Sequence, residues 1–263
     1  MTPRGEPLTI HTPSGDVSAV YSRPEAAEAT VVVAHGAGAG MVHPFMVGFC
    51  AALNELGMAT LRFNFAYMEA GKRVPDRAPK AIPVWQAAFE EARRRSAGEP
   101  LWAAGKSFGG RIASMAVAEG AMRPVGLVFL GYPLHPAGKP EKLRDDHLYG
   151  LRLPMLFLSG TRDTLATAEL LDAVVAKLPT ATLAWQEGGD HSFAVKGAKR
   201  TPYEIGASLA EPTAQFITGT IAEDVGPSPL RECGHGWSSG VRGRSALDRP
   251  PFRAHHPPND RLP

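Results

Sequence analysis

The segment GKSFGG at residues 105–110 constrains the fold of this chain more than any other. A short apolar run precedes it and a helix-like run, residues 111–118, follows it, so the pattern predicts a strand, a tight turn and a helix. A serine at such a turn has a strained backbone, and glycine at positions 105 and 109 avoids clashes with the neighbouring strand and helix. The segment therefore predicts that Ser107 is presented at a helix N-terminus, where the helix dipole favours developing negative charge.

A second Gly-x-Ser-x-Gly match, centred on Ser238, shows that the pattern alone is not specific. No apolar strand precedes residues 236–240, and no helical periodicity follows them. The sequence context therefore favours Ser107 over Ser238 as a nucleophile.

The composition indicates an ordinary globular protein. The chain has 263 residues, of which 44% are hydrophobic and 21% charged, and this fits one large α/β domain. The net charge of +2 favours no particular partner, and the densest basic run, residues 93–95, is typical of a solvated helix end, so no nucleic-acid partner is predicted. The N-terminus lacks the apolar core of a signal peptide and no apolar run is long enough to span a membrane, so a cytoplasmic location is expected.

Only two cysteines occur, Cys50 and Cys233. They support neither a disulfide framework nor a cysteine-based zinc site, and the sequence predicts no metal and no cofactor.

The apolar segments alternate between strand and helix patterns. Strands are predicted at residues 8–12, 17–23, 29–34, 58–65, 100–104, 125–130, 155–159 and 182–186, and helices at 44–56, 81–97, 108–122, 167–177 and 201–222. The first two strands form a hairpin, and the later alternation predicts a mostly parallel, doubly wound α/β sheet with right-handed crossovers. Pro212 is expected to kink or interrupt the last helix.

The chain changes character near residue 224. Residues 1–223 are predicted to form one α/β domain, whereas residues 224–263 are rich in proline, glycine and arginine and have little apolar periodicity. Such a segment cannot bury enough surface to offset the entropy of ordering, so the tail is predicted to be disordered.

Three chemically capable residues follow predicted strand ends, in the order serine, acid, histidine. Ser107 needs a base within hydrogen-bond reach, and His191, after a Gly-Gly turn, is the strongest candidate. Asp163 is the preferred acid to orient that base. Asp190 competes for the role, but it adjoins His191, and adjacent side chains usually diverge; a merely capping role for Asp163 also stays open.

An acyl-transfer transition state carries an oxyanion that needs two backbone donors. The N–H of Phe108 is expected to supply one and that of Ala37, in the glycine-rich loop 35–40, the other, with Gly38 as runner-up. A phosphate-binding turn is the alternative for this loop, but it lacks the lysine and hydroxyl of a P-loop.

Several other polar residues are expected to have structural or solvent-exposed roles. Structural or solvated roles are expected for three other histidines: His35, His43 and His135. Three arginines, expected to be solvated although they could meet an anionic substrate, are Arg62, Arg73 and Arg77.

The motifs together resemble the α/β-hydrolase superfamily over residues 8–222. Within it they are similar to the dienelactone-hydrolase-like branch that includes a testis-expressed protein and a subunit of a histone acetyltransferase complex. The stretches that carry the likeness are 35–41 with 43–45, 62–65 with 67–69, 105–110, 132–136 and 160–163. The resemblance implies an α/β-hydrolase fold, with a mostly parallel eight-stranded sheet and helices on both faces, and a triad at Ser107, Asp163 and His191. Dienelactone hydrolases themselves use cysteine where this chain has Ser107.

The expected function is a metal-free serine hydrolase of esterase or thioesterase type acting on a small-molecule substrate. A non-catalytic binding or scaffold protein with the same fold remains the alternative of a different class, and a serine peptidase the minor enzymatic one.

Overall fold

A computed structural model describes residues 5–225 and 252–255 of the chain. The eight predicted strands are confirmed within a few residues, and so are the five predicted helices, except that the last one is divided. Ser238 and most of the segment 224–263 lie outside the described residues.

Nine strands in the described part of the chain form one sheet. Their bounds are β1 Glu6–Ile10, β2 Val17–Ser22, β3 Ala29–Ala34, β4 Met58–Phe63, β5 Leu101–Lys106, β6 Leu127–Leu130, β7 Met155–Gly160, β8 Ala181–Gln186 and β9 Phe252–His255. The order across the sheet is β1-β2-β4-β3-β5-β6-β7-β8-β9. Strands β3 to β8 run parallel, and β1, β2 and β9 are antiparallel to their neighbours. The predicted mostly parallel sheet is thus confirmed.

Seven α-helices and one 3₁₀ turn accompany the described strands. Their bounds are α1 Pro44–Glu55, α2 Ala66–Glu69, α3 Ala78–Arg95, α4 Phe108–Ala118, the 3₁₀ turn Asp146–Gly150, α5 Ala168–Val175, α6 Pro202–Ser208 and α7 Ala210–Val225.

Helices cover both faces of the sheet, because its central strands are apolar on both sides. In β3, Val32 and Ala34 belong to one core with α3, α4 and α5, whereas Val31 and Val33 belong to a second core with α1, α6 and α7. Successive side chains of a strand point to opposite faces, so an uninterrupted apolar run supplies both cores at once.

The strand order reverses beside β3. The chain leaves β3 toward β4 on one side, whereas it leaves β5, the neighbour of β3 on the other side, toward β6. The loops after β3 and β5 therefore diverge and leave a crevice beyond the carboxyl ends of these two strands. Open α/β sheets bind ligands at such a switch point.

Three details differ from the sequence prediction or refine it. Residues 66–79, predicted as a loop, contain the single turn α2, too short to give a periodic signal, and α3 begins at Ala78. The last helix is interrupted at Leu209, because Pro212 lacks the N–H that would bond the carbonyl of Ser208 and its ring would clash there. A ninth strand, β9, pairs with β8 inside the segment predicted to be disordered.

Candidate active site

The turn after β5 holds Ser107 in a conformation that few side chains adopt. Its backbone has φ 50° and ψ −114°, and it stands directly before the first residue of α4. The Ser107 N–H donates to the carbonyl of Leu130 at 3.1 Å, and the Ser107 carbonyl accepts from Arg111 at 3.1 Å. The strained residue is thus fixed on both sides, and its hydroxyl projects beyond the sheet at a helix N-terminus.

Glycines surround Ser107 because the turn leaves no space for side chains. A Cβ at position 105 would lie 2.2 Å from the nitrogen of Gly110, and a Cβ at position 109 would lie 2.6 Å from the carbonyl oxygen of His35. Both obstacles are backbone atoms that cannot rotate away. The prediction that glycine is required at 105 and 109 is confirmed.

His191 lies between Ser107 and Asp163. Its Nε2 is 2.8 Å from Ser107 Oγ, and its Nδ1 is 2.7 Å from Asp163 Oδ2. A carboxylate only accepts hydrogen bonds, so Nδ1 carries the proton and Nε2 is the acceptor for the serine hydroxyl. The structure therefore brings the three residues that sequence order selected into one hydrogen-bonded chain.

The two aspartates near His191 have different contacts. Asp163 is buried, and its second oxygen, Oδ1, accepts the N–H of Leu165 at 2.8 Å. Asp190 is exposed, and its Oδ1 accepts the backbone N–H groups of Ser192 and Ala194 at 2.8 and 2.9 Å. Asp190 thus closes the turn that follows β8, and Asp163 contacts the imidazole.

The His191 loop, residues 187–195, is fastened by side chains from two strands. Lys106 Nζ donates to the His191 carbonyl at 2.7 Å, and Gln186 Nε2 donates to the Phe193 carbonyl at 3.0 Å. Phe193 is buried although its φ is +63°, so the surrounding contacts hold a strained residue. Burial lowers the pKa of Lys106 to about 8, against the opposing effect of Asp163 and Asp190.

His35 and Tyr67 shape the loop after β3, residues 35–40. His35 is buried; Nδ1 donates to the Gly36 carbonyl at 2.7 Å, and Nε2 accepts the Phe65 N–H at 3.1 Å. Burial lowers the pKa of His35 to about 4, so the ring is neutral at pH 7. Tyr67 OH, whose pKa burial raises to about 12, contacts the carbonyls of Gly36 and Ala37 at 3.2 and 3.1 Å.

These contacts determine where the loop's amide groups point. In a trans peptide the C=O and the N–H point in opposite directions. Because the Gly36 and Ala37 carbonyls face Tyr67, the N–H groups of Ala37 and Gly38 are directed away from it. Phe108 is the first residue of α4, so its N–H has no acceptor within the helix. Both backbone donors predicted for an oxyanion thus belong to segments that border Ser107.

A cavity of about 600 Å³ opens over Ser107 and His191. Its wall is mainly apolar, and none of the lining residues is acidic. They are Gly36, Ala37, Gly38, Ala39, His43, Phe45, Met46, Lys106, Ser107, Leu165, His191, Ser192, Ala194, Arg200, Pro202 and Ile205. Helix α6 reaches this wall because it crosses α1 closely: a Cβ on Gly206 would lie 2.0 Å from the Phe45 carbonyl.

The other polar residues singled out in the sequence do not join the hydrogen-bonded chain. His43 accepts the Phe45 N–H and caps α1, and His135 is buried with Nδ1 3.0 Å from the Pro136 carbonyl, so their structural interpretation is confirmed. None of the three arginines considered lines the cavity: Arg62, Arg73 and Arg77. The sequence did not reveal the roles of Lys106 and Tyr67, because both depend on contacts between distant segments.

Within residues 5–225 and 252–255, no group of three or more histidine, cysteine, aspartate or glutamate residues is arranged to hold a metal ion. Every helix of this described part is too short or too polar to traverse a lipid bilayer.

Comparisons with known proteins identify the family and the fold. The family model described as "Alpha/beta hydrolase domain" matches residues 27–218. An α/β serine hydrolase without a lid from Xanthomonas campestris is 23% identical, with a TM-score of 0.65 over 81% of this chain and 95% of that one. A dienelactone hydrolase from Anabaena variabilis is 18% identical, with a TM-score of 0.66 over 83% and 99%. A Pyrococcus furiosus esterase is 15% identical, with a TM-score of 0.64 over 83% and 91%. At these identities the solved structures show a shared fold.

Proposed function

The chain belongs to the α/β hydrolase domain family, and from that premise we propose that it is a serine hydrolase of esterase or thioesterase type. Its substrate is a small ester-like molecule that enters the cavity above Ser107, and the reaction passes through an acyl-enzyme. The observation that carries this proposal is the continuous hydrogen-bonded chain from Asp163 through His191 to Ser107, which ends at the cavity wall.

Acylation begins at the serine hydroxyl. Ser107 Oγ attacks the carbonyl carbon of the substrate while His191 Nε2 accepts the hydroxyl proton, across a distance of 2.8 Å. Asp163 holds the proton on Nδ1 and stabilises the imidazolium that forms. The same imidazolium then gives its Nε2 proton to the leaving alcohol or thiol, and the acyl group stays on Ser107.

The negative charge that develops on the substrate oxygen needs donors already in place. We assign this role to the N–H of Phe108, at the start of α4, and to the N–H of Ala37. The second assignment is supported by Tyr67, which engages the carbonyls on the opposite side of the loop. The α4 dipole favours the same charge.

Deacylation repeats the proton transfers with water as the nucleophile. His191 takes a proton from the water as its oxygen attacks the acyl carbon, and returns that proton to Ser107 Oγ as the acyl–serine bond breaks. A carboxylic acid leaves and the starting state is restored. Ser107 and His191 are partly exposed at the cavity, which gives water access to the acyl group.

Labelling with a fluorophosphonate tests this function. We expect a stoichiometric adduct that mass spectrometry maps to Ser107, and a loss of about 10⁴- to 10⁶-fold in kcat in Ser107→Ala. Ser192→Ala is the matched control, because Ser192 is an exposed serine that lines the same cavity. Equal labelling of the wild type and Ser107→Ala would contradict the proposal and favour a binding or scaffold protein.

Two panels of chromogenic substrates separate the enzymatic alternatives. A serine esterase cleaves p-nitrophenyl esters of short acyl chains and leaves aminoacyl anilides intact, whereas a peptidase cleaves both. We also propose a cytoplasmic location.

A further inference from the structure

Lys106 links the strand that carries the nucleophile to the loop that carries the base. It is the last residue of β5 and directly precedes Ser107. Its Nζ donates to the backbone carbonyl of His191 at 2.7 Å, a contact between residues 85 positions apart in the chain. One short hydrogen bond thus connects the neighbour of the serine with the main chain of the histidine.

The Lys106 ammonium group lies in a largely apolar environment. Nζ lies 5.7 Å from the ring centroid of Phe193 and 6.0 Å from that of Phe45. Gly131, with φ +72°, provides the remaining space, because a Cβ there would lie 3.4 Å from Nζ. In a largely apolar environment a hydrogen bond from a charged donor is strong.

The charged and titratable groups that face Lys106 all belong to the site. Asp163 follows β7, and Asp190 and His191 follow β8; the two carboxylates favour the charged lysine. Desolvation outweighs them, and the pKa of Lys106 falls to about 8, so the side chain remains mostly an ammonium at pH 7.

The His191 loop needs a restraint of this kind. It contains two glycines, Gly188 and Gly189, whose hydrogen bonds lead to the segment after β7 and not to the Ser107 strand. Asp163 restrains only the imidazole ring, by one bond to Nδ1. Asp190 closes the turn from within the loop and therefore does not set its distance from Ser107. The Lys106 bond acts between the two elements whose separation proton transfer depends on.

We propose that Lys106 is a positioning residue whose ammonium group fixes the main chain of His191 relative to Ser107 and thereby holds Nε2 at proton-transfer distance from the serine hydroxyl. This inference rests on the proposed function. It assigns to the residue before the nucleophile a role in the chemical step, measured by kcat.

Substitution with kinetic analysis tests the role. In Lys106→Met, which keeps most of the unbranched apolar stem and removes the donor, we expect kcat for a p-nitrophenyl ester to fall about 10- to 100-fold. KM should stay within about twofold, because a displaced base slows the chemical step and not the binding of substrate. Lys177→Met, which removes an exposed lysine just after α5, should behave as the wild type.

Chemical rescue separates the ammonium from mere packing. Lys106→Cys, in a Cys233→Ser background, can be alkylated with 2-bromoethylamine to give a lysine analogue with sulfur in the chain, whereas Cys50 is fully buried. We expect low kcat before alkylation and recovery of most of the wild-type kcat after it. If Lys106→Met does not fold, kcat is compared instead between the wild type, Lys106→Gln, and Lys106→Cys before and after alkylation.

The outcomes are distinguishable. If Lys106→Met loses thermal stability but retains the wild-type kcat per fluorophosphonate-titrated site, Lys106 is a packing residue and the inference is wrong. The inference is also wrong if completely alkylated Lys106→Cys stays as slow as the unmodified variant. A wild type that does not label at Ser107 overturns the proposed function and this inference together, whereas equal rates with a labelled wild type overturn the inference alone.

Discussion

The serine turn, residues 105–110, depends on glycines that allow close backbone contacts. The histidine loop, residues 187–195, depends instead on hydrogen bonds from side chains of neighbouring strands. At the serine turn, glycines bring backbone against backbone, and a Cβ at 105 or 109 would lie within 2.6 Å of a main-chain atom. At the histidine loop, Lys106 and Gln186 bond to the carbonyls of residues 191 and 193. The two segments meet in one 2.8 Å contact between Ser107 and His191.

This difference determines how each segment fails. A turn fixed by the absence of side chains has no soft alternative, so one added methyl group must displace a strand or a helix. A loop fixed by separate hydrogen bonds loses them one at a time, and each loss shifts the base by a fraction of an ångström. We therefore expect changes at the serine turn to act on stability, and changes that move His191 relative to Ser107 to act on kcat.

The largest effect expected outside Ser107 lies in the acid that orients the base. Asp163→Asn should lower kcat about 10⁴-fold, because an amide can donate to Nδ1 and stabilise the wrong tautomer of His191. Asp190→Asn is the matched control: its amide oxygen can still accept from Ser192 and Ala194, so kcat should stay within about threefold. Steady-state kinetics on p-nitrophenyl esters decide, and a greater loss in Asp190→Asn would reverse the two assignments.

The next effect breaks the serine turn itself. Gly105→Ala should reduce the free energy of unfolding by more than about 3 kcal/mol or prevent folding, since its Cβ would lie 2.2 Å from the nitrogen of Gly110. Gly219→Ala is the opposite case, because no described atom beyond its own stretch of helix α7 lies within 4 Å of the added Cβ; it should gain about 0.5–1 kcal/mol. Urea unfolding measures both. If the two variants have similar free energies of unfolding, the serine turn can relax around an added methyl group. That result would contradict the claim that the turn has no soft alternative.

The serine turn was also the part of the site that sequence could predict best. Glycine spacing and the change of apolar period are local signals, so the strand, the turn and the helix around Ser107 follow from residues 100–118. The order of Ser107, Asp163 and His191 after β5, β7 and β8 selected the residues that the fold brings together.

The contacts that fix the histidine loop could not be predicted from the sequence. Lys106 and His191 are 85 positions apart, and Tyr67 is about 30 positions from the carbonyls that it contacts. Such contacts depend on how strands are ordered in space, which no local pattern records. Helix α2 gave no signal because four residues are too few to show a period, and β9 lies in a segment whose composition argued against structure.

Acid should weaken the serine side of the site through His35, whose carbonyl borders Gly109. Its pKa in the folded state is about 4, below the ordinary value of 6.5, so the unfolded chain binds more protons between these pH values. Stability is therefore complete above pH 6.5 and is lost as the pH falls toward 4, by about 3 kcal/mol from this group. The difference in urea stability between the wild type and His35→Gln, followed from pH 7.5 to 4.5, isolates the contribution. A constant difference would contradict it.

The smallest effect is expected at Gln186, the second side chain that holds the histidine loop. Gln186→Met removes the bond to the Phe193 carbonyl and, with it, a buried Gln186 Oε1 that has no hydrogen-bond partner among the described residues, so the net loss of stability should be about 1 kcal/mol or less. We expect kcat within about threefold of the wild type, because this bond acts two residues beyond His191 and does not connect the loop to the Ser107 strand. Thermal unfolding and ester kinetics on Gln186→Met and Lys106→Met, measured side by side, test this. If Gln186→Met lowers kcat as much as Lys106→Met does, rigidity of the whole loop positions the base, and the ammonium of Lys106 has no special part in it.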